Sequence, residues 1–409
     1  MEQDFQCRSC GAKRGSQIID LGLQPLANNL LSQDDIDSEE PRFPLRVSVC
    51  EECWLLQITD LVPPVDLFSD YLYYSSFSDA MLQHAREASH RYIDEFVLNS
   101  KSLVVEIASN DGYMLKNFAE ASVGCLGIEP AANVAGVAAK AGIETLVEFF
   151  GEKLALRLVK EGRCADLVLA NNVFAHAPEI NDFVAGISKI LKPEGCAVLE
   201  FPYALDFIEN TEFDTIYHEH VYYLGATPLL PLFESHGMDV FRMERIPIHG
   251  GSLRIFACPR GGRAKEASVE VILDQESAAG MNSLDYFKGF ADRAEKIRTD
   301  LNGLLGELGA AGATVAAYGA AAKGATLLNY CQPPPGSIDF IADRSHFKQG
   351  RLSPGLHLPI VPAEELASRR PDYCLLLAWN FVDEIMAQQQ SYRDAGGQFI
   401  LPIPEVIIV

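Results

Sequence analysis

Hydrophobic positions between residues 100 and 236 fall in short runs that alternate with stretches of helical spacing. The runs have the length of buried strands and lie at 103–108, 124–129, 165–170 and 196–201. Helical spacing follows at 112–119, 131–141 and 180–191. This alternation is typical of a doubly wound parallel sheet with helices on both faces. The pattern therefore predicts a central α/β domain.

A second region of the same kind follows a long polar-apolar stretch. Residues 283–310 have the spacing of one long helix, and 314–319 then form a strand that runs into a small-residue turn. Strand-like runs recur at 338–342, 373–378 and 399–402. We therefore predict a C-terminal Rossmann-like α/β domain.

The N-terminal region contains two pairs of cysteines, Cys7-x-x-Cys10 and Cys50-x-x-Cys53. Each pair presents two thiolates from a tight turn, and four sulfur ligands complete the tetrahedral site that structural Zn²⁺ prefers. Redox or free thiol pairs are the alternative, but no thioredoxin-like pattern surrounds them. Four sulfur ligands leave no open position for catalysis, so we predict a structural zinc site. The other six cysteines are scattered singly, which is typical of small core residues.

Composition narrows the class of protein. The chain has 409 residues, an apolar fraction of 48% and a formal net charge of -23. This length predicts two or three domains. Binding to nucleic acid is disfavoured because it needs a cationic surface. We expect no membrane span and a cytoplasmic location, because neither a 20-residue apolar run nor a basic and apolar leader is visible.

These patterns together predict an α/β protein with four parts. We place a zinc-binding domain at 1–70 and the central α/β domain at 71–240. Connecting strands and the long helix occupy 241–311, and the second Rossmann-like domain occupies 312–409.

A ligand loop is predicted where the first central strand ends. Small and polar residues there let a ligand approach the backbone, and a carboxylate ending the next strand can accept bonds from ribose hydroxyls. The three-glycine dinucleotide pattern is missing, and the combination fits S-adenosylmethionine. The predicted cofactor-binding residues are Glu106, Ser109, Asn110, Asp111, Gly112, Glu129, Pro130, Glu148, Phe149 and Asn171.

A cluster of proton-transfer groups, Tyr217-His218-Glu219-His220, follows the strand at 196–201. Histidine suits proton abstraction because its ordinary pKa lies near neutral pH. Glu219 or a neighbouring group can fix its tautomer, and phenols can donate to an enolate oxygen. Beside the cofactor loop, this cluster predicts methyl transfer to a carbon acid, with His220 as the base. We interpret His218 as a supporting residue.

Spaced motifs over essentially the whole chain resemble those of the S-adenosylmethionine-dependent sugar C-methyltransferases of deoxysugar biosynthesis. Within that family they are most similar to the C-3′-methyltransferases of D-tetronitrose biosynthesis. The motifs are the two cysteine pairs, Tyr71-x-Tyr73-x-Ser75-Ser76, the cofactor loop, Asn171-x-x-x-x-His176, Tyr217-x-Glu219-His220, His249-Gly250-Gly251, Tyr318-Gly319-Ala320-x-x-Lys323 and Ala378-Trp379-Asn380.

The resemblance implies an N-terminal zinc domain, a methyltransferase domain and a C-terminal domain that closes over the substrate. It implies a nucleoside diphosphate-linked 4-keto-6-deoxysugar, with dTDP as the expected nucleotide, methylated at carbon 3. Carried over by motif, the catalytic group is Tyr73, His176, Tyr217, Glu219 and His220. Position 218 is His, where the D-tetronitrose enzymes carry an acidic residue, so the exact sugar does not transfer.

Residues outside these two clusters are candidates for substrate binding. Lys323 and the turn at Gly319 could hold a diphosphate by charge and backbone amides. The others offer hydroxyls, flexible backbone or a cation, although plain packing is an alternative for each. The predicted set is Ser75, Ser76, His249, Gly250, Arg254, Gly319 and Lys323.

Two other functions remain open at this point. One is an O- or N-methyltransferase of a small metabolite, and the other is a zinc-ribbon interaction scaffold with inactive α/β domains. We expect a monomer or a homodimer.

Overall fold

The computed structural model describes residues 5–35, 39–63, 67, 74–248 and 250–409. Within these ranges the strands form three sheets, one for each part of the chain predicted to bind zinc, cofactor and substrate. None of the helices in the described part combines the length and the apolar character that crossing a bilayer needs.

The N-terminal sheet is antiparallel, and a cysteine pair precedes its first strand and its third strand. Its strands are β1 (Gly15–Pro25), β2 (Arg42–Cys50) and β3 (Leu56–Ile58), joined by β9 (Tyr222–Tyr223) from much later in the chain. The amide of Ile58 also donates to the carbonyl of Val221 at 2.9 Å. The segment that contains Tyr217 and His220 is thereby attached to the N-terminal domain.

The central sheet has seven strands in the order β10-β11-β8-β7-β4-β5-β6, of which β11 alone of these described strands runs antiparallel to the others. They are β4 (Leu103–Ile107), β5 (Gly124–Ile128), β6 (Thr145–Leu146), β7 (Ala165–Asn171), β8 (Leu191–Pro202), β10 (Met238–Ile246) and β11 (Ser252–Pro259). The chain moves outward from β4 through β6, then returns to place β7 on the other side of β4. The carboxyl ends of β4 and β7 therefore flank a switch point, where open α/β sheets bind ligands.

Helices cover both faces of this sheet, as the alternating pattern predicts. They are α1 (Asp79–Glu95), α2 (Leu115–Glu120), α3 (Ala132–Lys140), α4 (Glu152–Lys160), α5 (Ile180–Ile190), α6 (Ala204–Glu209), α7 (Ala226–Ser235) and α8 (Ala267–Ala279). The helix expected from residue 112 begins only at Leu115, because Gly112 has a φ of 79° and turns follow it. The ligand loop is correspondingly longer than the pattern indicates.

The prediction of a single long helix at 283–310 is wrong. The structure has α9 (Leu284–Phe287) and α10 (Phe290–Ala310), separated by Lys288 in an extended conformation and Gly289 with a φ of 80°. A left-handed residue cannot continue a right-handed helix, and glycine adopts that conformation at low cost. The break ends the short helix and lets α10 start in a new direction.

The C-terminal domain repeats the doubly wound plan with its own switch point. Its sheet has the order β14-β13-β12-β15-β16-β17, in which β17 alone of these described strands is antiparallel to its neighbour. The elements are β12 (Val315–Tyr318), α11 (Ala322–Cys331), β13 (Ile341–Asp343), β14 (Ile360–Pro362), α12 (Glu364–Arg369), β15 (Tyr373–Leu376), α13 (Val382–Gln388), α14 (Gln390–Asp394), β16 (Gln398–Leu401) and β17 (Ile407–Ile408). The carboxyl ends of β12 and β15 flank the switch point.

One apolar core runs through all three parts of the chain and includes residues of every sheet. The predicted α/β fold class is therefore confirmed. The six scattered cysteines are unpaired, and four of them are buried. The domain boundaries proposed at 70, 240 and 311 remain a prediction, although β10 and β11 hydrogen-bond into the central sheet.

Candidate active site

A cavity of about 900 Å³ lies where the three parts of the chain meet. Both switch points contribute to its wall, through Ala108 and Asn171 on one side and Ala378 on the other. The N-terminal domain adds Asn28 and the segment ending at Pro63. Other described residues that line it include Ser75, Asn110, Glu129, Pro130, Glu148, Phe149, Asp182, His176, Tyr217, Glu219, His220, Lys323 and Lys348.

The cofactor loop after β4 is held in an unusual backbone conformation. Ala108 has a φ of 53° and Asn110 a φ of 50°, values that side chains other than glycine rarely adopt. Such strain persists only where surrounding contacts hold it, and it is common at functional sites. Here the amide of Ser75 donates to Asn110 Oδ1 at 2.9 Å, and the amide of Ser76 donates to Asp111 Oδ2 at 3.2 Å.

Glu129 closes the loop from the neighbouring strand. Its carboxylate accepts the amide of Asn110 at 3.0 Å and the amide of Ala131 at 2.8 Å. Each carboxylate oxygen has a second lone pair, and the side chain lines the cavity. Glu129 can therefore accept further hydrogen bonds inside the cavity, and its contact with ribose stays a prediction.

Three buried carboxyl groups, Glu106, Asp111 and Glu129, lie in and around this loop. Burial, together with the charges of Asp111 and Glu129, raises the pKa of Glu106 well above its ordinary value. Glu106 Oε2, Asp111 Oδ1 and Ser109 Oγ have no hydrogen-bond partner within the described residues. Unsatisfied buried polar atoms fit a ligand that brings hydrogen-bond donors, as the methionine part of S-adenosylmethionine does.

The predicted adenine end is the open end of the cavity. Phe149 lines it with 55% of its surface exposed, and Glu148 forms an ion pair with Arg157 at the rim. Asp182 adds a carboxylate there that the sequence did not single out.

His220 is held in one tautomer by its backbone surroundings. Its Nδ1 lies 2.8 Å from the carbonyl of Thr215, which can only accept, so Nδ1 carries the hydrogen. In the neutral ring Nε2 is then the basic nitrogen, and the hydroxyl of Tyr217 donates to it at 2.6 Å. The sequence suggests Glu219 or a neighbour as the group that fixes this tautomer, but the structure gives that role to Thr215.

His176 and Glu219 are the other two members of the cluster. Burial strongly affects the pKa of both side chains. The rings of His176 and His220 meet edge to face with centroids 4.8 Å apart. Burial lowers the pKa of His176 to about 4, so its ring is neutral at neutral pH. Burial raises the pKa of Glu219 to about 7, although Asn28 and Lys348 oppose this.

Lys323 provides a cation on the opposite wall, at the start of α11. Its Nζ is buried without a hydrogen-bond partner in the described structure, 4.0 Å from Glu212 Oε2 and 4.6 Å from the centre of the Trp379 ring. Burial raises the pKa of Glu212 to about 7 and that of Asp214 to about 6. The lysine charge is thus only partly neutralised.

Several predicted substrate residues lie away from the cavity. Arg254 is buried in an ion pair with Glu200 at 2.8 Å, so its charge is neutralised inside the protein. Gly250 packs beside Glu212, and Gly319 packs against Ala378, where a Cβ would come within 2.9 Å. Ser76 contacts the cofactor loop instead. Tyr73 and His249 lie outside the described residues.

The four paired cysteines converge at the tip of the N-terminal sheet. Their sulfur atoms all lie within 4.8 Å of one another, and the Cys7–Cys53 and Cys10–Cys50 pairs are each separated by 3.6 Å. A tetrahedral Zn²⁺ with Zn–S bonds of about 2.3 Å requires sulfurs about 3.8 Å apart. Cys7, Cys10, Cys50 and Cys53 therefore fit a structural zinc ion.

Comparison with known proteins agrees with this architecture. Residues 7–68 match a family described as "Putative zinc binding domain", residues 81–242 match "Methyltransferase domain", and residues 247–404 match "C-methyltransferase C-terminal domain". C-methyltransferase NovU of Streptomyces niveus is 37% identical over 405 residues, which cover 99% of this chain and 96% of NovU.

Two solved methyltransferase structures are similar to this chain at a low level. Magnesium protoporphyrin IX methyltransferase of Synechocystis PCC 6803 with bound SAH is 13% identical, with a TM-score of 0.35 over 44% of this chain and 83% of its own. An S-adenosylmethionine-dependent methyltransferase of Clostridium acetobutylicum is 7% identical, with a TM-score of 0.35 over 44% and 92%. Similarity at this level supports no conclusion about this protein.

The loop at the switch point, the matching methyltransferase domain and the four-cysteine site define a zinc-containing, S-adenosylmethionine-dependent methyltransferase. More particularly, the chain belongs to the family of C-methyltransferases that includes NovU. Membership sets aside both the O- or N-methyltransferase and the inactive scaffold.

Besides Asp182, three residues of the site were missed from the sequence. Asn28, Thr215 and Lys348 act through a side-chain amide, a backbone carbonyl and a distant lysine, none of which has a local pattern. Lys348 lies on the same wall of the cavity as the small-residue turn before α11. That turn was the feature closest to Lys348 that the sequence had indicated.

Proposed function

We propose that the acceptor is a nucleoside diphosphate-linked 4-keto-6-deoxysugar, with dTDP as the nucleotide, and that carbon 3 of the sugar is methylated. The observation that carries this proposal is the meeting of an oriented histidine base, a cofactor loop and a buried lysine in one cavity. The resemblance of the spaced motifs to sugar C-methyltransferases supports the sugar class. The 37% identity to NovU supports transfer to carbon.

His220 takes the proton from carbon 3 in this proposal. Its Nε2 is the basic nitrogen because Nδ1 donates to Thr215, so the ring needs no rearrangement before it accepts a proton. The bound substrate replaces Nε2 as the partner of the Tyr217 hydroxyl, which then donates to the keto oxygen. The C–H bonding pair moves into the enolate, and the proton stays on Nε2.

The enolate oxygen is stabilised by donors around it. Tyr217, Tyr73 and His176 are the proposed donors, and each well-placed donor contributes roughly 3 kcal/mol to such stabilisation. Neutral His176 suits this role, since an imidazolium would be costly to bury. S-adenosylmethionine supplies a methyl group on a sulfonium, whose bond to sulfur breaks as the bond to carbon 3 forms.

Cofactor contacts come from the predicted set. We propose that Glu106, Ser109, Asp111 and Gly112 form the floor of the methionine end, and that Asn110 and Asn171 border the sulfonium. Glu129 and Pro130 hold the ribose, with Glu148 and Phe149 at the adenine.

The diphosphate contacts the wall formed by the C-terminal domain. Ala321, Ala322 and Lys323 line the cavity at the start of α11, where backbone amides and the helix dipole favour an anion. Lys323 adds a charge that lacks a hydrogen-bond partner in the described structure. We propose that Ser75 and His249 contact the sugar side, and that Gly250, Arg254, Gly319 and Ser76 act by packing.

The test is turnover of a small panel of dTDP-, CDP- and GDP-linked 4-ketosugars with labelled methyl donor, followed by mass spectrometry. Methylated dTDP-sugar, together with exchange of the carbon 3 hydrogen for solvent deuterium, is the expected result. Exchange should persist with S-adenosylhomocysteine in place of the donor, because proton removal precedes transfer. A methyl group found at any atom other than carbon 3 would contradict the proposed position.

A further inference from the structure

We propose that Asn28 is a positioning residue through which the N-terminal domain orients the Glu219 carboxylate over the cavity. The proposal rests on the function proposed above, because it gives Glu219 a part in holding the acceptor. It assigns a role to a residue 191 positions away from its partner.

The contact between the two side chains is close and symmetrical. Asn28 Nδ2 lies 2.8 Å from Glu219 Oε1 and 2.9 Å from Oε2, so one amide group bridges both carboxylate oxygens. Both residues line the cavity. A carboxylate bridged in this way cannot rotate freely, and its remaining lone pairs can accept hydrogen bonds from a hydroxyl group of the acceptor.

Asn28 itself is fixed from two sides. It follows β1, and the next residues pair with the C-terminal domain, where Leu31 and Leu352 exchange two backbone hydrogen bonds of 3.0 and 2.9 Å. Arg351 also contacts the carbonyl of Leu30. The turn that presents Asn28 is therefore held between the N-terminal and C-terminal domains, which makes the amide a rigid donor.

Glu219 needs such a donor because its surroundings disfavour a negative charge. Only 3% of its surface is exposed, and burial alone raises its pKa. The hydrogen bond from Asn28 and the charge of Lys348 are the two influences that lower it. The other titratable groups of the elements around it are His176, Tyr217, His218 and His220.

The first test follows the protonation of Glu219 without any acceptor. Infrared difference spectra between the enzyme and its Glu219→Gln variant isolate the protonated carboxyl band, whose midpoint should lie near pH 7. In Asn28→Ala the midpoint should move to higher pH by about one unit, as expected for loss of one charge-assisted hydrogen bond. Asn28→Asp should raise it further by like-charge repulsion. An unchanged midpoint in both variants would overturn the proposal.

The second test asks whether Asn28 acts through Glu219. At neutral pH, Asn28→Ala should reduce kcat/KM by about fivefold, the loss of ionised carboxylate expected for that one-unit shift, with recovery at alkaline pH. In the Glu219→Gln background the same substitution should change nothing further. A loss that persists at alkaline pH, or that adds to Glu219→Gln, refutes the mechanism.

Asn29→Ala is the matched control, since Asn29 is the same residue type at the next position and is exposed. Binding of S-adenosylhomocysteine by calorimetry confirms that each variant is folded. If no ketosugar is turned over, the proposed function fails, whereas the infrared titration still decides the Asn28 contact.

Discussion

Replacing Glu219 with glutamine should change the stability of the protein in a way that depends on pH. The substitution keeps the size of the side chain and leaves an amide oxygen that Asn28 can still contact. It removes the one property that matters here, which is the ability to bind a proton inside the cavity.

The magnitude follows from the burial of the carboxyl group. Its pKa rises from 4.5 to about 7, so the folded protein binds this proton more tightly than the unfolded chain does. A raised pKa contributes stability below the unfolded value and loses it as pH rises through the folded value. The contribution of each pKa unit is about 1.4 kcal/mol, so the ionised group costs the native state about 3 kcal/mol above pH 7. The glutamine variant carries no such cost, because its side chain stays neutral at every pH.

The assay is the free energy of unfolding from reversible urea titration, with zinc present, near pH 4.5, which is the ordinary pKa of the carboxyl group, and at alkaline pH. The variant should gain roughly 3 kcal/mol on the wild type between the two conditions. Glu307→Gln is the control, because Glu307 is an exposed glutamate on α10. A difference between wild type and Glu219→Gln that is the same at both pH values would refute the reasoning.

Further predictions concern the base, the cation, the metal and a buried histidine. His220→Asn should keep its affinity for S-adenosylhomocysteine in calorimetry but lose about 10²- to 10⁴-fold in turnover, and near-normal turnover would remove His220 as the base. Lys323→Ala should raise the KM of the acceptor by about tenfold or more while donor affinity stays unchanged, because it deletes a buried charge; an unaltered KM would discard the diphosphate contact. Metal analysis should find one Zn²⁺ per chain, and Cys50→Ser should lower both the zinc content and the melting temperature, whereas full activity of a folded metal-free protein would contradict a structural zinc. Because burial lowers the pKa of His176 to about 4, stability should fall as pH drops below 6.5 towards 4, and His176→Asn should remove that part of the loss in urea unfolding.

The sequence predicted those features that depend on local pattern. Parallel strands buried on both faces read as continuous apolar runs, so β4, β5, β7 and β8 were located to within a few residues, apart from the early start of β8. The two cysteine pairs predicted the tetrahedral cluster for a similar reason, since each tight turn fixes two ligands. The break at Gly289 was missed because helical spacing on both sides hid one left-handed residue.

The candidate site was predictable only in part. Residues at strand ends, such as Glu129 and Asn171, could be placed because carboxyl ends of parallel strands share one edge. Arg254 was misjudged because a cation in a motif gives no sign of the buried carboxylate that neutralises it.

By itself, the sequence determined the fold class, the metal ligands and the groups available for chemistry, because these depend on residue type and short-range spacing. Only the tertiary structure decided which of those groups share a cavity, which tautomer His220 adopts and how Glu219 is charged. Those properties arise from Thr215, Asn28 and Lys348, which come from three different parts of the chain. Hydrogen bonding and burial act through space, and chain folding alone brings such partners together.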